Sequence, residues 1–233
     1  IPARSTRHVS IWTIVASTRE TLIQSSERHH GGADLDRALT LAWTHAQVHL
    51  RHLDIQPVQA DLFQKLAGYL LFPSSVLRSS AARIKRGAGK QADLWGQGVS
   101  GDLPILLLVI TESEDFDLAR TLLTAHGYLN FKGLAFDFVI LNDHPTSYAQ
   151  DLQHALEALV RSSGQPGTVR LLRGTLMSET VRDLLFSVAY VVLTGKGGNL
   201  QHQLTRIEVM QGAKVLHAPI RPCRPYRGAA QTP

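Results

Sequence analysis

Leu94-Trp95-Gly96-Gln97-Gly98-Val99-Ser100-Gly101-Asp102-Leu103-Pro104 runs straight into Ile105-Leu106-Leu107-Leu108-Val109-Ile110. Gly96, Gly98 and Gly101 spell G-x-G-x-x-G, the letters of a dinucleotide-binding turn. Their place in the chain argues against that reading. A phosphate-binding fingerprint follows a strand and opens a helix, so that the phosphate meets free helix amides. Here the glycines come first, Pro104 interrupts, and an apolar run follows. An unbroken aliphatic run has no polar face, which marks a strand buried on both sides of a sheet.

Downstream the pattern alternates. The spacing predicts a helix over 116–126 with Leu118, Leu122 and Leu123 inward, and a second buried strand over 135–141. A helix over 148–160, a strand over 168–172, a short helix over 179–186 and a strand over 188–193 complete the series. Strands separated by helices of this length imply crossover connections and a mainly parallel sheet. The expected fold is α/β, a small, mainly parallel, doubly wound sheet of about four strands occupying 102–204.

Upstream, Leu35, Leu39, Ala42, Trp43, Ala46, Leu50 and Leu53 recur at helical steps, and Leu62, Phe63, Leu66, Ala67, Leu70 and Leu71 do so again. Pro57 suits a first helical turn and Pro73 ends the second helix, so 34–73 is expected to be a helical hairpin. Residues 1–33 are an irregular lead-in, with Val9, Ile11, Ile14 and Val15 as a short strand or helix start. His29-His30-Gly31-Gly32 reads as a loop, and 74–101 as a basic, Gly/Ser-rich connection. Residues 205–233, with Pro219, Pro222 and Pro225, form an expected loose tail.

The 233 residues carry a net charge of +5, with arginine and lysine spread rather than interleaved with aromatics. That pattern is no nucleic-acid groove. The one cysteine, Cys223, excludes an internal disulfide framework and suits a reducing compartment. No apolar run approaches the roughly 20 residues of a membrane span. The chain opens Ile1-Pro2-Ala3-Arg4 with no secretory leader, which leads to the expectation that it is cut from a larger polypeptide.

The stretch around Trp95 also resembles the part of bacterial cyclic β-1,2-glucan synthases that reads Leu-Trp-x-x-Gly-Ile-Ser-Gly-Asp-Leu-Pro-Ile, with Val99 in place of the isoleucine. Asp36-Arg37-Ala38, Ala42-Trp43-Thr44, Phe63-Gln64-Lys65-Leu66-Ala67, Ala125-His126, Lys132-Gly133-Leu134 and Val139-Ile140-Leu141-Asn142-Asp143 fit the same family. The likeness runs from about residue 18 to about residue 204. It implies a parent that is a large multidomain enzyme of the bacterial inner membrane. Such an enzyme polymerises glucose from UDP-glucose into β-1,2-linked chains and closes them into rings. The resemblance places this segment in a carbohydrate-binding, phosphorylase-like C-terminal half, soluble and on the cytoplasmic side. The glucosyltransferase motifs of the family lie elsewhere, so no catalytic residue carries over, and UDP-glucose is a donor for the parent rather than a ligand here.

Candidate ligand groups fall in two places. Trp95 and Asp102 suit carbohydrate, since an aromatic face stacks on the apolar face of a sugar while a carboxylate accepts its hydroxyls. Equally, Trp95 can bury its ring against the hairpin while Asp102 fixes the glycine turn through backbone amides. The second place is the crevice beyond the strands' carboxyl ends, where α/β sheets bind ligands. Glu112, Asn142, Asp143 and Arg173 stand there, with Thr111, Thr194 and Lys196 beside them, as a candidate nucleotide-sugar or phosphate site. Structural roles compete: Glu112, Glu114 and Asp115 complement a helix N-terminus, and Asn142 or Asp143 can cap the next helix near Pro145.

His45, His49 and His52 share a helical stripe, but the third strains tetrahedral geometry and no matching carboxylate orients the rings, so no metal is expected. Asp115-Phe116-Asp117 has the letters of a nucleotide-sugar motif at a helix start, where it reads as dipole compensation. Gly195-Lys196-Gly197-Gly198 lacks the remainder of a Walker sequence. The chain is therefore expected to be non-catalytic alone. It is read as a structural or carbohydrate-contacting section of a glucan synthase, with neighbouring domains and β-1,2-glucan as partners. The competing expectation is a free-standing nucleotide-sugar binder or enzyme using the strand-end crevice. A third, pure scaffold, predicts exposed apolar surface.

Overall fold

The computed structural model describes residues 9, 11–29, 32–87, 89–144, 149–164 and 168–215. Contacts divide the chain between Gln59 and Ala60 into two units. In the first, α1 (Arg19–Arg28) starts at Thr18, whose hydroxyl accepts the Thr21 N–H at 3.2 Å. Sequence reasoning missed this helix because it has no apolar stripe and buries no residue. Then α2 (Gly32–His52) begins inside the expected loop. Of its predicted stripe, Leu35, Ala46, Leu50 and Leu53 are half-buried, while Leu39, Ala42 and Trp43 are exposed.

α3 (Pro57–Leu71) starts at Pro57 and stops short of Pro73, as predicted, with Phe63, Leu66 and Leu70 fully buried. The connection that follows is more ordered than its composition suggests. It contains α4 (Ala81–Arg86) and α5 (Ala92–Trp95). The series then runs β1 (Ile105–Ile110), α6 (Phe116–Phe131), β2 (Asp137–Asn142), α7 (Ala149–Ser162), β3 (Val169–Arg173), α8 (Glu179–Val188), β4 (Val191–Thr194) and α9 (Leu200–Val215). Val188 closes α8 rather than opening the last strand. Residues 205–215, expected in a loose tail, continue α9, which buries Leu200, Leu204 and Ile207. Residues 216–233 lie outside the described residues.

All strands are parallel, in the order β3-β2-β1-β4. β1 is central, with all six side chains buried. One face of the sheet presents Ile105, Leu107, Val109, Val139 and Leu141 to Leu94 and Val99 and to Leu184, Leu185 and Phe186 of α8. On the other face, the buried His126 of α6 meets Phe138 with ring centroids 6.0 Å apart. Helices on both faces make the sheet doubly wound. Strand order reverses between β1 and β4, which creates a topological switch point there.

α4 is held to α8 by charge. Arg83 Nε donates to one carboxylate oxygen of Asp183 at 2.9 Å and Arg86 Nε to the other at 2.8 Å. The Arg83 guanidinium also lies 3.6 Å over the Phe186 ring. Arg78 donates to the Ser187 carbonyl at 2.6 Å, and Leu77 O accepts the Val192 N–H at 2.7 Å along the outer edge of β4. Residues 77–86 thus form a strap that covers one edge of the sheet, an arrangement that blunts strand-edge pairing.

Candidate functional site

The glycine turn lies at the amino end of the sheet, just before β1. Its backbone closes through bonds from Gln97 N to Leu94 O and from Gly98 N to Trp95 O, both 2.9 Å. Gly98 has φ +70°, and a Cβ there would sit 3.2 Å from Arg170 Nε, so a side chain meets both strain and crowding. Arg170, on β3, donates to the Gly98 carbonyl at 2.6 Å and ties the turn to the sheet.

Trp95 is not buried against a helix. The residue is 63% exposed while its neighbours Leu94 and Val99 are in the core. The indole Nε1–H donates to Ser100 O at 3.2 Å, which fixes the ring. Asp102 is also exposed, and it holds the turn differently from the expected route through backbone amides. Gln91 Nε2 donates at 2.8 Å both to Asp102 Oδ1 and to Ser100 O. Gln91, Arg170 and Asp137 complete this region and were missed, Gln91 because it lies in the stretch read as an irregular connection, Arg170 and Asp137 because only the sheet register brings them to the turn. Asp137 opens β2 opposite Ile105. Its Oδ2 is buried with no hydrogen-bond partner. Burial, with a smaller push from the Asp102 charge, raises its pKa above the ordinary aspartate value, and Arg170 opposes the shift.

The carboxyl end of the sheet differs from its expected form. At the switch point, the buried Asp115 carboxylate accepts Thr111 N at 3.0 Å and Glu112 N at 3.1 Å. It also packs so closely on Gly195 that a Cβ there would overlap the carboxylate. The space between the β1 and β4 loops is therefore filled. Asn142 and Arg173 do stand side by side in register. Each is engaged elsewhere: Asn142 Nδ2 donates to Gln153 at 3.1 Å, Gln153 to Glu157 at 3.1 Å, and Glu157 faces Arg173 at 4.0 Å. Asp143 is ion-paired with Arg182, and the Glu112 side chain is exposed. Of the proposed caps, Asn142 Oδ1 accepts His144 N at 3.2 Å. Pro145 falls outside the described residues.

A cavity of about 660 Å³ opens one residue further along each loop, lined by Ser113, Phe116, His144, Asp151, Leu152 and Ala155. None of these six was singled out as a ligand group from sequence, where Phe116 reads only as part of a helix start. In α2, His45 and His49 pack edge to face with centroids 3.7 Å apart. Among the described residues no three metal-ligating side chains converge, and no helix is long and apolar enough to cross a membrane.

No family model matches the chain. Over 213 residues it is 34% identical to the cyclic beta-(1,2)-glucan synthase NdvB of Rhizobium meliloti (strain 1021). The match takes in 88% of this chain, and the chain spans 8% of the length of that relative. The likeness first read from the words around Trp95 thus extends over most of the sequence, and the chain is similar to a segment of a cyclic β-(1,2)-glucan synthase many times its length.

Proposed function

We propose that this chain is a non-catalytic section of a membrane glucosyltransferase like cyclic β-1,2-glucan synthase, and that it contacts the glucan through Trp95 and Asp102. The observation that carries the contact is the Trp95 ring, exposed yet immobilised by its bond to Ser100 O. An aromatic surface held in place in the free protein loses little freedom when a sugar stacks on it. Asp102 stands on the same turn, a carboxylate that can accept sugar hydroxyls. UDP-glucose would bind elsewhere in the longer polypeptide, in the inner membrane, with the neighbouring domains as this section's partners. At the strand ends Asn142, Asp143 and Arg173 are committed to partners, and the switch point is filled by Asp115, which weighs against a phosphate site there.

The test is calorimetric titration of the chain and its Trp95→Ala and Asp102→Ala variants with a linear β-1,2-linked glucooligosaccharide. Each replacement is expected to weaken binding about tenfold, ~1.4 kcal/mol. Each variant should unfold cooperatively with Tm only slightly lowered, because both side chains are exposed and each gives up one surface hydrogen bond. Equal affinity in a folded double variant would remove the contact from the proposal.

A further inference from the structure

We infer that the cavity between the turn after β1 and helix α7, bordered by His144, is a second saccharide site, taking a neutral pyranose ring. The choice of sugar rests on the function proposed above, but the residues are separate from Trp95 and Asp102 and lie at the opposite end of the strands. The volume of about 660 Å³ falls within the roughly 300–1,000 Å³ usual for small-molecule sites. Phe116, Leu152 and Ala155 supply its apolar surface, and Ser113, His144 and Asp151 its polar groups.

Both walls are held by buried polar side chains. On one side Asn142, 4% exposed, accepts His144 N and donates to Gln153, itself 4% exposed and next to Leu152. One residue therefore holds both His144 and the Leu152 stretch of α7, which together form that side of the opening. On the other side Asp115, 8% exposed, gathers Thr111 N and Glu112 N and so sets the positions of Ser113 and Phe116. Buried amides and carboxylates that shape a concave surface in this way preorganise it for a ligand.

Charge selects the class of ligand. Among the described residues the lining includes no lysine or arginine. Glu112 and Glu114 stand beside it, and Arg120, which lies 5.5 Å over the Phe116 ring, is paired with Asp117 at 3.8 Å. The Thr111 and Glu112 backbone amides, just ahead of the helical turn, are taken by the Asp115 carboxylate. A phosphate finds no cationic partner here. A pyranose does fit the chemistry, with its apolar face on Phe116 and Leu152 and its hydroxyls toward Asp151, Ser113 and His144.

The experiment is a residue-resolved NMR titration of the chain with a linear β-1,2-linked glucooligosaccharide, repeated with UDP-glucose and with inorganic phosphate. The expected result is saturable shifts at Ser113, Leu152 and Ala155, absent with phosphate. Ala155→Trp, a change at an exposed helix position that fills the cavity, should weaken those shifts at least tenfold. Trp95→Ala should leave them intact. Shifts confined to the Trp95 turn would overturn the cavity site while leaving the proposed function standing. Shifts confined to the cavity would do the reverse, and no shifts at either place would sink both. Saturation of the cavity by phosphate, or by UDP-glucose but not by the oligosaccharide, would also overturn the assignment.

Discussion

Asp137 is placed where an ionised carboxylate is poorly served: one oxygen is buried and unpartnered, and the Asp102 charge is near enough to be felt. Its folded-state pKa lies above the unfolded value, so ionisation works against folding. The penalty is absent below the ordinary aspartate pKa of about 3.9 and fully present once the pH passes the raised value. Asp137→Asn is therefore expected to raise Tm at neutral pH, with the gain vanishing on acidification to about pH 4. Thermal unfolding across that range checks it, and a lower neutral Tm for the variant would mean that Arg170 needs the charge. At this scale the sequence exposes chemistry but not company. Trp95 and Asp102 stand out by type, yet Arg170 and Asp137 reach their turn only through the register that sets Ile105 opposite Asp137 and Val139 opposite Arg170. Nothing local encodes that pairing.

Among the elements, the strap is the one whose sequence misleads most. Its arginines read as a solvated basic linker, while their partners Asp183 and Ser187 lie about a hundred residues on. Hydrogen bonds from Arg86 and Arg83 hold the Asp183 carboxyl below the usual carboxylate range. The clasp is thus at full strength above the ordinary aspartate pKa and is lost as pH falls through the lowered value. Replacing Arg83 and Arg86 together by Ala should speed hydrogen exchange across 81–95 several-fold at neutral pH, with little change in the sheet. Uniform acceleration everywhere would show instead that the strap and sheet open as one unit. The elements that were legible were those with an unambiguous period. The β strands and α6 to α8 were found with ends displaced by a few residues, whereas polar α1 was missed and α9 was foreseen only as tail.

Taken whole, the sheet was legible because four apolar runs alternate with helices, but its order was not. Sequence separation says nothing about which side of β1 the last strand takes. With β4 on the far side from β2, β1 is paired along both edges, and Leu107→Ala there should cost about 2–5 kcal/mol. Denaturant unfolding would measure it, and a loss well below that range would mean that the core collapses around the gap. The candidate sites fared less well than the fold: the amino-end pair was visible, whereas the cavity depends on loops displaced by one residue from the polar groups that drew attention. The strand order also has a consequence for biosynthesis. A ribosome delivers the strap first, then β1, and only much later α8 and β4, on which the strap closes. Until α8 emerges the strap has nothing to grip, and until Val191 emerges the nascent chain holds its most aliphatic strand with one side unpaired. Such an open edge invites pairing with other chains. A polypeptide ending short of residue 194 would be less a smaller version of this domain than an adhesive fragment of it.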